Sequence, residues 1–222
     1  MVAGMIAVTP RTTLGHRAAR GSHDEPLIHA ILDEALVCHV GFVDGGQPYV
    51  IPTLHVRVGD ALYLHGSQQS RMLSALRAGA PACVTVTLVD GLVLARSAMH
   101  HSMNYRSVVV LGTAEEVRDR EEKLRVLDAL VEHVARGRSR ETRAPDEGEL
   151  KATAVVRLPI TEASAKVRTG PPVDLEEDYA LPFWAGVVPV RTQVLPPQPD
   201  PRLRPEVPMS DAVIRLVTGG GG

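Results

Sequence analysis

The sequence predicts a mainly β protein, a small antiparallel barrel with Greek-key-like strand order and helices added at its rim. Three observations predict it. Short runs of alternating apolar and polar residues follow one another in meander order, with turn residues at each junction. One helix is inserted after the third strand, and a later, longer helix carries an apolar stripe on one side and charge on the other. At 222 residues, 44% of them hydrophobic, the chain is long enough for one sizeable core and too short for two. The domain is expected at residues 24–194, between a disordered leader at 1–23 and a Pro- and Gly-rich disordered tail at 195–222.

Taken in order, the leader lacks hydrophobic periodicity, and Asp24 is the expected cap of a short helix from Pro26 to Ala35 that buries Leu27, Ile28, Ile31 and Leu32. A meander follows: Leu36 to Val43, a turn at Asp44-Gly45-Gly46, Pro48 to Val58, a turn at Gly59-Asp60, and Ala61 to His65. After the inserted helix, Ala82 to Val89 alternates and turns at Asp90-Gly91 into Leu92 to Ala98, and Tyr105 to Val117 is a further strand. Asp119 to Arg136 is the long helix, with Leu124, Leu127, Leu130, Val131 and Val134 on its apolar side. Arg136 to Gly148 reads as a solvated loop, Lys151 to Ile160 as a strand, Glu162 to Pro172 as an irregular basic segment, and Asp174 to Tyr179 as one helical turn. Trp184-Ala185-Gly186 opens a last strand, Val187 to Val194.

The junction from Tyr63 to Gly79 carries the strongest chemical signal. A strand breaks at Gly66, Ser67 is the expected helix cap, Met72, Leu73 and Leu76 share one face, and Gly79 with Pro81 supplies the stop. The first turn holds Gln68, Gln69, Ser70 and Arg71, and no Asp or Glu occurs between Asp60 and Asp90. A helix N-terminus is already partly positive, so an added cation beside free N–H groups and two hydroxyls points to an external anion, a phosphate above all. The Asp119 helix is the internal control, because it begins on an Asp and places Glu121 and Glu122 in its first turn, as the dipole prefers.

Composition excludes several classes of partner. The net charge of −2 gives no basic field for nucleic acid or anionic lipid, and no apolar run approaches the roughly 20 residues that span a bilayer. Cys38 and Cys83 each sit in an apolar strand, the pattern of buried free thiols in a reducing, cytoplasmic setting. His100 and His101 point to opposite faces if they lie on a strand, and neither cysteine has a partner at ligand spacing, so no metal site is expected.

Four stretches together resemble one family: Tyr49-Val50-Ile51-Pro52-Thr53; Leu62 to Ser67 with Ser70-Arg71-Met72-Leu73; Met103 to Gly112; and Trp184-Ala185-Gly186-Val187. In their order and spacing, the chain resembles the flavin-binding split-barrel proteins related to pyridoxamine 5′-phosphate oxidase, in the branch of nitroimidazole-resistance reductase-like proteins. That resemblance implies a split β-barrel with FMN bound between the subunits of a homodimer. It implies that Pro52 and Thr53 contact the flavin ring and that His65, Gly66, Ser67, Ser70 and Arg71 lie along the ribityl phosphate. Asn104, Tyr105, Ser107 and Trp184 would approach a flavin of the partner subunit. The Arg-x-His clamp of the true pyridoxamine phosphate oxidases occurs nowhere in the chain, which argues against vitamin B6 synthesis.

The function implied is an FMN-dependent oxidoreductase acting on a small molecule. The cofactor would carry the hydride or electron chemistry, with NAD(P)H binding only transiently, because no dinucleotide Gly fingerprint is present. No catalytic side chain is assigned. Two alternatives stay open: a reductase using the deazaflavin F420, and a non-catalytic dimer that binds flavin or, through a histidine, haem.

Overall fold

The computed structural model describes residues 4–219. Turn chemistry sets the first part of its sheet. Gly45 and Gly46 take positive φ of 57° and 82°, the left-handed values that a tight hairpin needs, and join β2 (Val37–Asp44) to β3 (Gln47–Val58). A second tight turn with Gly59 at φ 59° joins β3 to β4 (Ala61–Ser67), and β4 leads through a short loop into α2 (Arg71–Arg77). Beyond α2 come β5 (Pro81–Leu94), β6 (Ser102–Thr113), the two-residue β7 (Glu115–Glu116), α3 (Arg120–Val134), α4 (Glu147–Ala152), β8 (Thr153–Pro159) and β9 (Ala163–Arg168). Before β2 stand β1 (Gly21–Ser22) and α1 (Glu25–Glu34), and the chain finishes with β10 (Gly186–Pro189) and α5 (Asp211–Thr218).

All pairings in the sheet are antiparallel, in the order β1-β9-β6-β5-β2-β3-β4-β8-β7, with β10 added along the far end of β5. The β6–β9 ladder runs on past Ala163, where Leu111 N donates to Glu162 O at 2.9 Å, and the sheet curls until β8 packs against β6. Gly112 is needed at that seam, since a Cβ there would stand 2.9 Å from Leu158 Cδ1. This is the split barrel. Its interior is filled by Val40, Leu62, Leu64, Val84, Val86, Val108, Val110 and Leu158. Helix α1 inserts Ile28, Ile31 and Leu32 at one end, and α2 inserts Leu73 and Leu76 at the other. A second, smaller cluster lies where α3 covers the sheet, with Val126 and Leu130 on Val56, Tyr63 and Val155.

Several sequence expectations are corrected. The strand does not break at Gly66 but continues through Ser67, and the cap of α2 is Ser70, whose Oγ accepts from Leu73 N at 3.4 Å. Asp90-Gly91 is not a turn between two strands. It is an irregularity inside β5, where the register shifts between Val89 and Gly91 and Arg106 holds the Asp90 carboxylate at 2.8 Å. The basic segment after Glu162 is a strand, β9, and the loop after Arg136 contains a 3-10 turn (Arg138–Glu141) and α4, which starts with a full capping box on Asp146. His100 closes a 3-10 turn rather than sitting on a strand, with Nδ1 3.7 Å from Asp174. Cys83 is only half-buried, while burial pushes the Cys38 thiol up to about 12, the form of an unreactive core cysteine.

The leader and tail also differ from expectation. Ile6 and Thr12 are buried, Ile6 N donates to His23 O at 2.9 Å, and Gly21–Ser22 pairs with β9. The tail carries α5, capped by Ser210, with Ala212 buried against the loop after α3 and its N–H donated to Glu141. Residues 1–3 of the leader and 220–222 of the terminal Gly run lie outside the described residues. Charge composition hides such packing, because the anchoring contacts are few and distant in sequence.

Candidate functional site

At the α2 end of the barrel, Ser67, Ser70 and Arg71 share a rim with the β2–β3 hairpin. Ser67 Oγ accepts from Gln69 N at 3.2 Å and Ser70 Oγ caps the helix, so both hydroxyls keep their own protons to donate. The Arg71 side chain is 59% exposed, stands over the Tyr49 ring at 4.9 Å and has its Nε 3.9 Å from Asp44. The acid-free window in the sequence therefore has a carboxylate after all, delivered by the hairpin. Pro52 is exposed and Thr53 half-buried at mid-β3, opposite His39 and Cys38 of β2. Gly66 is half-buried on β4, its Cα side against Leu73.

His65 points elsewhere. β3 and β4 pair only as far as His55 opposite Leu64, and beyond it Leu54 and His65 both line a cleft of about 930 Å³ between the sheet and α3. The apolar side of α3 supplies Leu124, Leu127, Val131 and Val134, and the loop after it supplies Arg138, Ser139 and Thr142. His65 Nδ1 is enclosed with no hydrogen-bond partner among the described residues. Burial lowers the pKa of this imidazole, so it is neutral near physiological pH and keeps a lone pair for a ligand. At the cleft wall Arg143 is paired with Glu149, and Arg138 with Glu141 at 3.4 Å. Arg125 also lines the cleft and has no carboxylate within salt-bridge distance among the described residues.

The other predicted residues sit far from the rim within one chain. Asn104 is buried at the start of β6, where its Nδ2 donates to Gly170 O at 3.1 Å and its Oδ1 accepts from Arg168. Tyr105 pairs with Arg168 across β9, and Ser107 Oγ donates to Lys166 O at 3.3 Å. Thr113, at the other end of β6, pairs with Pro81 at the start of β5 just after α2, so the strand separates Asn104 and Tyr105 from the α2 end of the barrel. Trp184 is 68% exposed, and its ring stands 3.0 Å from where a Cβ on Gly186 would be. The chain thus groups Ser67, Ser70 and Arg71, places His65 in the α3 cleft, and leaves Asn104, Tyr105, Ser107 and Trp184 apart.

Sequence reading missed the cleft. Its signal was present in α3, whose apolar stripe is wider than the two residues it fully buries, Val126 and Leu130. A further signal was the alternation of Tyr63 and His65 against Leu62 and Leu64, which puts a histidine on the face that α3 covers.

The comparisons agree with this architecture. The family model described as pyridoxamine 5′-phosphate oxidase matches residues 24–167. The flavocytochrome Anf3 of Azotobacter vinelandii is 45% identical, with a TM-score of 0.89, covering 94% of this chain and 97% of that one. An FAD- and haem-binding protein of Mycobacterium smegmatis is 38% identical, with a TM-score of 0.85, covering 89% of this chain and 97% of that one. A chain described as a 5-nitroimidazole antibiotic resistance protein, from Bacteroides thetaiotaomicron, is 28% identical with a TM-score of 0.55, covering 66% of this chain and 86% of that one. No curated protein matches in sequence. Among the described residues, no helix is long and apolar enough to cross a membrane.

Proposed function

The chain belongs to the pyridoxamine 5′-phosphate oxidase family, and from that premise we propose that it is a redox protein binding a flavin and a haem, with His65 as the haem ligand. The observation that carries the reading is the half-buried imidazole of His65, its Nδ1 enclosed and without a hydrogen-bond partner among the described residues, lining a mainly apolar cleft of about 930 Å³. The flavocytochrome and the FAD- and haem-binding protein support it, since both cover nearly all of this chain at higher identity than the nitroimidazole-resistance protein does. The second favours FAD over FMN, and both favour a haem-binding reading over a plain FMN oxidoreductase.

The residues present fit a haem. A neutral imidazole is the ligand form of histidine, Leu54, Leu124, Leu127 and Val131 provide an apolar lining, and Arg125 offers a cation with no ion-pair partner among the described residues to a carboxylate. For the flavin, Ser67 and Ser70 keep hydroxyl protons and Arg71 a partly exposed guanidinium for a phosphate, with Pro52 and Thr53 along the ring. The bound groups would supply hydride and one-electron chemistry, and the protein would supply their orientation and a dry surround. Asn104, Tyr105, Ser107 and Trp184 then act from the second subunit of a homodimer, on a flavin they do not reach in their own chain.

An absorption spectrum of the purified protein tests this. The expected result is a flavin envelope plus a Soret band, with the Soret band lost in His65→Ala and the flavin retained. A Soret band unchanged in that variant would move the haem elsewhere, and a protein that takes up no added haem would overturn the reading.

A further inference from the structure

Among the described residues, twelve of the 21 arginines are tied to carboxylates. They make fourteen pairs, among them Arg11–Glu162, Arg57–Asp33 and Arg106–Asp90. Arg168 is the exception that matters. It is 7% exposed, and no carboxylate lies within salt-bridge distance of it among the described residues. Its Nη1 donates to Asn104 Oδ1 and to Gly170 O at 3.2 Å, and its Nη2 donates to Pro171 O at 3.1 Å, all neutral acceptors. Its Nε is buried with no partner among the described residues.

The surroundings add positive charge instead of balancing it. Ala163, Ala165 and Val167 of β9 face the core, which turns Ser164, Lys166 and Arg168 to the outer face. Gly21 pairs with Lys166 on that strand, so Arg20 and the nearby Arg17 arrive beside it with the N-terminal segment. Burial first, then Arg20 and Arg17, push the Arg168 guanidinium below its ordinary value, and it still stays charged. Neither Arg17, Arg20 nor Lys166 has a carboxylate within salt-bridge distance among the described residues. A buried cation that gathers further cations and no acid is costly, unless an anion joins it.

We propose that Arg17, Arg20 and Lys166, set over the buried charge of Arg168, form a phosphate-binding subsite that takes a diphosphate group. The ligand is either the diphosphate of a dinucleotide or a free diphosphate, since the same forked donors recognise both. The subsite stands at the α1 end of the barrel, across the length of β6 from Arg71, and its existence does not depend on the flavin or haem reading.

Titration calorimetry of the full chain with inorganic pyrophosphate is the test. Expected is saturable binding that weakens as salt is raised, and that falls roughly tenfold to a hundredfold in Arg17→Ala/Arg20→Ala. Those two side chains make no hydrogen bond among the described residues, so the double variant should fold normally by circular dichroism. Arg168→Gln should lose binding as well. Absence of pyrophosphate binding, or binding equal in the double variant, overturns the proposal. Competition separates the sources: displacement of pyrophosphate by FAD but not by FMN assigns the subsite to a bound dinucleotide, and displacement by neither assigns it to a free diphosphate.

Discussion

Arg71 and Arg168 stand at opposite ends of the barrel, and the contrast between them shows what a guanidinium is doing in each place. Arg71 is exposed, near Asp44 and stacked over Tyr49, so it can leave its partners for a ligand at little cost. Arg168 is buried, held by neutral carbonyls and joined by other cations. Reading along the sequence selects the first, because its neighbours in the chain lack acids. Reading through space selects the second, because there the acids are missing in three dimensions.

The largest expected effect breaks the contrast on stability. Arg168→Met should cost about 3 kcal/mol, because Asn104 Oδ1 and the Gly170 and Pro171 carbonyls lose their donor in a buried setting. Arg71→Ala should change stability by less than about 0.5 kcal/mol, as exposed ion pairs do. Urea midpoints for both variants check this, and equal midpoints would dissolve the distinction.

Function should reverse the order. Arg71→Ala is expected to weaken flavin binding roughly tenfold, on the scale of one charge-assisted hydrogen bond, as read by fluorescence titration. An unchanged dissociation constant would make Arg71 a bystander and leave the rim to Ser67 and Ser70.

How much was legible follows from where each signal lives. The caps at Asp24 and Asp119 were readable because a cap and its helix lie within four residues, and both side chains bond the expected N–H groups, Leu27 N at 3.0 Å and Glu122 N at 2.7 Å. Asp90-Gly91 misled because a turn dipeptide and a bulge share composition, and what decides is Arg106 reaching across from β6. Gly91 is required there for another reason, since a Cβ would meet Val187 Cγ1 at 2.9 Å on β10. The β9 strand was hidden by its charges, Lys166 and Arg168, which read as loop until the N-terminal segment is seen to cover them. Of the candidate site, the rim was local and visible, while the cleft needs α3 laid over β4.

The same contrast between partnered and unpartnered groups extends to two histidines. His55 gives Nε2 to Leu32 O at 3.0 Å, whereas His65 has no partner, and burial is the main cause that depresses both pKa values. The unfolded imidazole protonates near its ordinary value of about 6.5, above either folded value. Stability is therefore full above that pH and falls as pH drops from about 6.5 toward the folded pKa, by at most about 1.4 kcal/mol per pH unit per imidazole. His65→Leu should flatten the decline seen in urea titrations of the cofactor-free chain between about pH 8 and pH 5. A slope equal to wild type would mean that His65 protonates alike in both states.

The smallest effect concerns the two helix starts that first set the rim apart. Asp119 places a carboxylate on the N-terminus of α3 and accepts from Glu122 N at 2.7 Å, while Ser70 offers α2 a neutral hydroxyl at 3.4 Å. A charged cap gains from both the hydrogen bond and the helix dipole, and a hydroxyl gains from the first alone. Asp119→Ala should thus cost about 1 kcal/mol and Ser70→Ala about half of that. Raising the salt concentration should narrow the gap by screening the dipole contribution. If Ser70→Ala proves the more costly in the flavin-loaded protein and not in the cofactor-free protein, the hydroxyl is spending its proton on the ligand, which is the role that the exposed rim leaves open to it.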